Sequence, residues 1–149
     1  IEPYINTRNN KLVFQENIAE DLNVFSDNTK INQVYMNVLG NANKFTENGT
    51  ITVNATTNRL DDKTVSLTTT ISDTWLGISE TDLKHILEPY YQGILPNEVE
   101  NIGAGLGLNL CKEIVKLYDG SIYIESEINK GTTVTFTINL ATNSWSLKT

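Results

Sequence analysis

Asn37, Asn41 and Lys44 stand in a segment whose apolar residues recur at helical intervals. At about 100° per residue the three fall within roughly 60° of one another, on the border of an apolar stripe centred near Val38 and Ala42. A carboxamide oxygen can ligate Mg²⁺, and a lysine ammonium one turn on can meet phosphate oxygens. Such a line suits a metal–polyphosphate complex, and it also suits an ordinary solvated helix face. Further along, Gly103-x-Gly105-x-Gly107 leads into a second helical segment. Glycines there allow positive φ and close backbone approach, and the helix N-terminus behind them favours an anion. A plain hinge would use the same residues. Asp73 closes a segment of alternating apolar residues and precedes Thr74-Trp75-Leu76-Gly77-Ile78. A carboxylate in that place can accept a hydrogen bond from an amine such as adenine's, or it can simply form a turn.

The elements that must position these groups are legible from periodicity. Lys11 to Gln15 alternates as a strand, and Asp21 to Phe25 suggests another. Ser26-Asp27-Asn28 supplies N-cap residues, after which Ile31, Val34, Tyr35, Val38, Leu39, Ala42 and Phe45 mark a long helix that Asn48-Gly49 stops. Ile51/Val53/Ala55 and Val65/Leu67/Thr69/Ile71 have period two and are joined near Asp61-Asp62 as a hairpin. Ser79-x-x-Asp82 opens a short helix that Pro89 must end. Residues 90–101 lack periodicity, and the helix after the glycine run stops at Asp119-Gly120. Two last strands, Ile122/Ile124 and Val134/Phe136/Ile138/Leu140, meet across Asn129-Lys130-Gly131. Hairpins mixed with helices, rather than regular βαβ units, predict a two-layer α/β sandwich: a mixed sheet covered by helices on one face.

With 149 residues, the chain suits one domain: a linker or helix remnant over 1–10, the domain over 11–141 and a polar tail over 142–149. Starting at Ile1 without a methionine, it reads as a soluble piece of a longer protein. A net charge of −7, from 18 acidic and 11 basic residues with no basic cluster, speaks against nucleic acid or anionic lipid as a partner. The single cysteine and single histidine exclude an intrachain disulfide and a Cys/His zinc site. No glycine motif follows the first strand and no G-K-[ST] occurs, so neither a Rossmann nor a P-loop site is present.

The order of the pieces carries a resemblance. Asn37-Val38-Leu39-Gly40-Asn41-Ala42-Asn43-Lys44-Phe45-Thr46, Asp73 to Ile78, Glu88-Pro89-Tyr90-Tyr91-Gln92 and Gly103-Ala104-Gly105-Leu106-Gly107-Leu108 resemble the asparagine, first glycine, aromatic and second glycine boxes of histidine kinase catalytic domains. The resemblance runs from about Asp27 to Leu140, with Glu125-Ser126-Glu127 through Thr132 matching as well. It implies the Bergerat-type sandwich shared with gyrase, the Hsp90 chaperones and MutL, and binding of Mg²⁺ and ATP. Position by position, it implies that Asn41 ligates Mg²⁺, that Asn37 lies near the phosphates and that Lys44 contacts them. Phe45, Gly77, Ile78, Tyr91 and Leu108 would line the nucleotide pocket. Asp73 would take the adenine amine, with Thr132 supporting it through water. Gly103, Gly105, Leu106 and Gly107 would wrap the phosphates, and residues 93–102 would form a lid.

The resemblance implies transfer to histidine rather than hydrolysis, partly through Asn37. Hydrolysing relatives usually place a glutamate there to activate water, and a carboxamide cannot take a proton. The acceptor histidine would lie on a separate dimerisation domain of the same protein, with a response-regulator receiver domain downstream, because His85 reads as a structural surface residue. The resemblance places the domain in the cytoplasm, makes no membrane contact necessary for it, and leaves membrane anchoring of the full protein open. One departure matters: Trp75 stands where the family has the first glycine of D-x-G-x-G. An indole pointing away from the pocket leaves an active kinase domain; an indole filling it makes the domain a pseudokinase that serves as an interaction module.

Overall fold

A computed structural model of the chain describes residues 9–17, 24–25, 28–74, 80–85, 88 and 107–142. The elements run β1 (Lys11–Asn17), β2 (Val24–Phe25), α1 (Asn28–Phe45), β3 (Thr50–Arg59), β4 (Thr64–Asp73), α2 (Glu80–Leu83), α3 (Gly107–Leu117), β5 (Ser121–Glu127) and β6 (Gly131–Thr142). The strands form one six-stranded sheet in the order β1-β3-β4-β6-β2, with β5 also on β6. β1 lies parallel to β3 and every other pair is antiparallel, which makes the sheet mixed.

Alternation decides which face is dry. Val53, Ile71 and Val134 share one side of the sheet in cross-strand register, as do Val65 with Leu140 and Thr69 with Phe136. That side meets Val34, Val38, Leu39 and Ala42 of α1 and Cys111, Ile114 and Val115 of α3 in a single buried cluster. Tyr35 packs edge-on against Phe136 with ring centroids 5.1 Å apart and hydrogen-bonds Thr69 Oγ1 through its hydroxyl at 2.6 Å. On the opposite face of β4 and β6 hydroxyls pair instead: Thr68 with Thr137 at 3.1 Å, Thr70 with Thr135 at 3.4 Å and Ser72 with Thr133 at 3.0 Å. An apolar face under helices and a hydroxyl face away from them is the two-layer α/β sandwich expected from the pattern.

The β3–β4 hairpin turns where Asp61-Asp62 predicted, with Asp61 Oδ1 accepting the Lys63 N–H at 2.8 Å. Of the second expected strand, Val24 and Phe25 pair with Thr142 and Ala141, while residues 21–23 lie outside the described residues. The short helix spans Glu80–Leu83, a single turn that stops well before Pro89. α3 ends as expected near Asp119-Gly120, but the left-handed residue is Asp119, at φ 54°, and not the glycine. Gly120 N–H reaches Val115 O at 2.8 Å and Asp119 N–H reaches Lys116 O at 3.0 Å, the paired bonds of a Schellman motif. Gly120 is required for another reason: a Cβ there would lie 1.7 Å from Thr137 O on β6.

Candidate functional site

The asparagine line of α1 faces the beginning of α3. Asn37 and Asn41 are one turn apart, and a Cβ on Gly107 would sit 3.9 Å from Asn37 Cβ, Asn37 Cγ and Asn41 Nδ2. Asn37 Nδ2 also reaches Gly107 O at 3.5 Å, a long contact. Two carboxamides therefore border the N-terminal end of a helix, where unpaired backbone N–H groups favour negative charge. Gly107 is not in the positive-φ region, and a Cβ there would make only ordinary contact. Among the described residues the packing does not demand a glycine at 107, in contrast to what its place in a glycine-rich box suggests. Leu108, one residue on, packs against the core cluster.

Beneath this junction lies Cys111, fully buried, its thiol donating to Val34 O at 3.7 Å. Burial pushes the thiol up to about 12, so it stays neutral and acts as a small apolar residue of the core. Lys44 follows Asn41 by three residues, on the last turn of α1. It is half-buried, and desolvation lowers its pKa from the ordinary 10.5. A partly desolvated ammonium gains more from a nearby anion than one in bulk water.

Asp73 is the last residue of β4, on the helix-facing side of the sheet, in register with Ile51 of β3 and Thr132 of β6. Its Oδ1 accepts the Thr132 backbone N–H at 3.2 Å. Thr132 is buried, and its hydroxyl pairs with Ser126 Oγ at 2.8 Å, while Ser126 Oγ also donates to Gly131 O at 3.1 Å. Asp73 is thus held directly by the Thr132 main chain, and the Thr132 hydroxyl is directed to Ser126. Gly131 has φ 120°, and a Cβ on it would lie 2.1 Å from Asp73 O. Glycine at 131 is what lets β6 start this close to Asp73.

Asn37, Asn41 and Gly107 are therefore brought together at the α1–α3 junction, with Lys44 further along α1, and Asp73 and Thr132 are brought together at the sheet end. Thr50 N–H donates to Thr74 Oγ1 at 3.1 Å, which ties the chain leaving α1 to the residue after Asp73. Gly77, Ile78, Tyr91, Gly103, Gly105, Leu106, Trp75 and the side chain of Phe45 lie outside the described residues, as does the expected lid. His85 is exposed and pairs with Glu88 through Nδ1 at 2.8 Å, consistent with a surface role. Ser126 was legible only as part of a matching tail. Asn10, buried against the end of α1, had no signal in sequence because it sits in a polar run.

A family model described as histidine kinase-, DNA gyrase B-, and HSP90-like ATPase matches residues 26–142. The chain belongs to this ATPase family. Among curated members it is 31% identical over 138 residues to the autoinducer 2 sensor kinase/phosphatase LuxQ of Vibrio parahaemolyticus, a match covering 91% of this chain and 16% of that protein. It is 36% identical over 124 residues to the hybrid signal transduction protein dokA of Dictyostelium discoideum, covering 81% and 7% respectively. With the signal transduction histidine-protein kinase BarA of Escherichia coli the identity is 35%, over 85% of this chain and 14% of BarA. The chain therefore spans a small fraction of the length of these relatives. The solved catalytic domain of the histidine kinase ThkA superposes with a TM-score of 0.72 at 26% identity, over 97% of this chain and 87% of that one. Full-length ShkA in complex with AMPPNP shares the fold, with a TM-score of 0.72 at 24% identity over 95% of this chain and 28% of that one. The pseudokinase alternative rests on Trp75 alone, and the kinase relatives of this ATPase family lend it no support.

Proposed function

We propose that the chain is the ATP-binding catalytic domain of a sensor histidine kinase, transferring the γ-phosphoryl group of Mg-ATP to a histidine on a separate dimerisation domain in two-component signalling. The observation that carries the reading is the convergence of Asn37 and Asn41 on the N-terminal end of α3, in a chain of this ATPase family. Asp73, fixed by the Thr132 N–H, would accept the adenine amine, and Thr132 would act on it mainly through its main chain. Gly103, Gly105, Leu106 and Gly107 would offer backbone N–H groups to the phosphates, with the α3 dipole behind them. Phe45, Gly77, Ile78, Tyr91 and Leu108 would line the pocket.

The donor set suits a metal that arrives with its substrate. No cluster of three or more His, Cys, Asp or Glu residues exists among the described residues, so a divalent ion has no cage of its own there. Asn41 would supply one neutral oxygen and phosphate oxygens the others, as suits Mg²⁺. When bound, the ion neutralises phosphate charge. The protein's part is positional: Lys44 binds and orients phosphate, and Asn37 orients without removing a proton, since a carboxamide has no basic site. An imidazole needs no general base to attack phosphorus, so transfer to histidine fits this site better than hydrolysis. Among the described residues no helix is long and apolar enough to cross a membrane. We place the domain in the cytoplasm, with the dimerisation domain as its immediate partner and a receiver domain downstream.

The test is transfer itself. The chain, mixed with the histidine-bearing segment of its full-length protein and γ-labelled Mg-ATP, is expected to place acid-labile label on that segment, and Asn41→Ala should abolish it. Free ATP hydrolysis at the same rate without the acceptor segment would overturn the reading.

A further inference from the structure

The chain reaches β1 through two asparagines that are tied to the far end of α1. Asn10 is only 5% exposed. Its Nδ2 donates to Thr46 O at 2.7 Å and to Asn43 Oδ1 at 3.0 Å, with a longer reach to Asn43 O at 3.5 Å. Its Oδ1 accepts the Gly49 N–H at 3.1 Å, and the Lys11 N–H next to it donates to Gly49 O at 2.9 Å. Asn9, in the left-handed region at φ 57°, donates from Nδ2 to Oδ1 of the equally left-handed Asn48 at 2.7 Å. Both polar ends of the Asn10 side chain are thus engaged, in a place where an unmet polar group would be costly.

The carbonyls at the end of a helix lack intrahelical partners, so a donor arriving from a distant segment can serve as a cap. Here the cap has a further consequence. The two residues it grips, Asn43 and Thr46, are 2% and 1% exposed and lie on either side of Lys44. Three residues past Thr46, Gly49 is held by the same carboxamide, and the next residue, Thr50, is bonded to Thr74 beside Asp73. The grip is on the segment from which the proposed phosphate contact is made, and it comes from the residue just ahead of β1.

We propose that Asn10 is a positioning residue for the nucleotide site: its carboxamide fixes the last turn of α1, and with it the Lys44 ammonium, relative to the start of β1. The inference rests on the reading of Lys44 as a phosphate contact. A cap that only stabilised the fold would weaken every ligand alike through the folded fraction. A positioning residue weakens the part of the affinity that depends on Lys44.

The experiment is calorimetric titration of the 149-residue chain with adenosine and with Mg-AMPPNP, for wild type, Asn10→Ala, Lys44→Ala and the double variant, at a temperature where circular dichroism shows each folded. Asn10→Ala is expected to lower Mg-AMPPNP affinity roughly three- to tenfold, within the range of couplings transmitted through a shared hydrogen-bonded segment, and to leave adenosine within about twofold. In the Lys44→Ala background it should add nothing. Asn10→Ser, which keeps a small hydroxyl for the Gly49 N–H, provides the same comparison if the alanine variant does not fold. Equal weakening of both ligands, or an Asn10 effect that persists without Lys44, would overturn the positioning role while leaving the nucleotide reading intact. Wild-type chain that binds neither ligand would instead overturn the nucleotide reading, and this inference with it.

Discussion

Replacing Gly131 by alanine strikes the sheet and the site together. A Cβ at 131 would sit 2.1 Å from Asp73 O, where ordinary contact begins at 3.4 Å, so backbone must move by more than an ångström. The residue also holds φ 120°, which an L side chain resists by about 1–3 kcal/mol. Relieving the clash opens the pairing of Thr132 with Asp73, and each ladder bond lost there costs about 0.5–1.5 kcal/mol. Together these give a loss of about 2–5 kcal/mol, a large part of the roughly 5–15 kcal/mol that holds a domain of this size. Urea unfolding should show the midpoint falling by about 1–3 M with little change in slope. The folded variant should also bind adenosine more weakly, because the 3.2 Å bond from the Thr132 N–H to Asp73 is displaced. Gly40→Ala is the internal control: no atom of the described residues lies within 4 Å of that Cβ, and alanine gains roughly 0.5–1 kcal/mol in a helix interior. Opposite signs are expected for the two variants. A Gly131→Ala midpoint at or above wild type would refute the reasoning.

Other outcomes follow from burial and charge. Phe136→Ala, at a residue 1% exposed and edge-on to Tyr35, should cost about 3–5 kcal/mol by urea unfolding, and a loss under about 1 kcal/mol would contradict the core described. Burial raises Cys111 and Tyr35 above their unfolded values, so their contribution is complete at neutral pH; that of Cys111 is lost as pH climbs from 9.0, the ordinary thiol value, toward about 12, and that of Tyr35 as pH climbs past its ordinary 10.0. Cys111→Ala should flatten that alkaline decline, and an unchanged slope would count against a buried neutral thiol. Lys44 is shifted the other way: its lowered pKa makes the unfolded chain the better proton binder just below 10.5, so stability there rises with pH. A bound polyphosphate restores the ammonium, so Mg-AMPPNP binding in that window should take up a proton, seen as a calorimetric heat that changes with buffer and vanishes in Lys44→Met.

Much of this architecture was legible because burial leaves a period. The 3.6-residue spacing from Val34 to Ala42 and the alternation through Ile51, Ile71 and Val134 reported both the elements and the face each buries. The line of Asn37, Asn41 and Lys44 was legible for the same reason, since it borders that stripe. What periodicity does not encode was missed. Parallel pairing of β1 with β3 crosses the whole of α1, and nothing local signals it. Asn10 lies in a polar run and is buried by hydrogen bonds rather than hydrophobicity. At the end of α3 it is Asp119 that takes the left-handed position, while Gly120 is needed against Thr137. The Thr132 N–H donates to Asp73, and main-chain donors leave no trace in residue type.

The most direct measurement is titration of the wild-type chain and Asp73→Ala with Mg-AMPPNP by calorimetry. Binding with Kd from roughly micromolar to low millimolar, lost in Asp73→Ala while circular dichroism stays unchanged, is the predicted result. A folded wild-type chain that gives no heat at millimolar ligand, or an Asp73→Ala chain that binds as well as wild type, would contradict a nucleotide site built on Asp73 and the asparagines of α1.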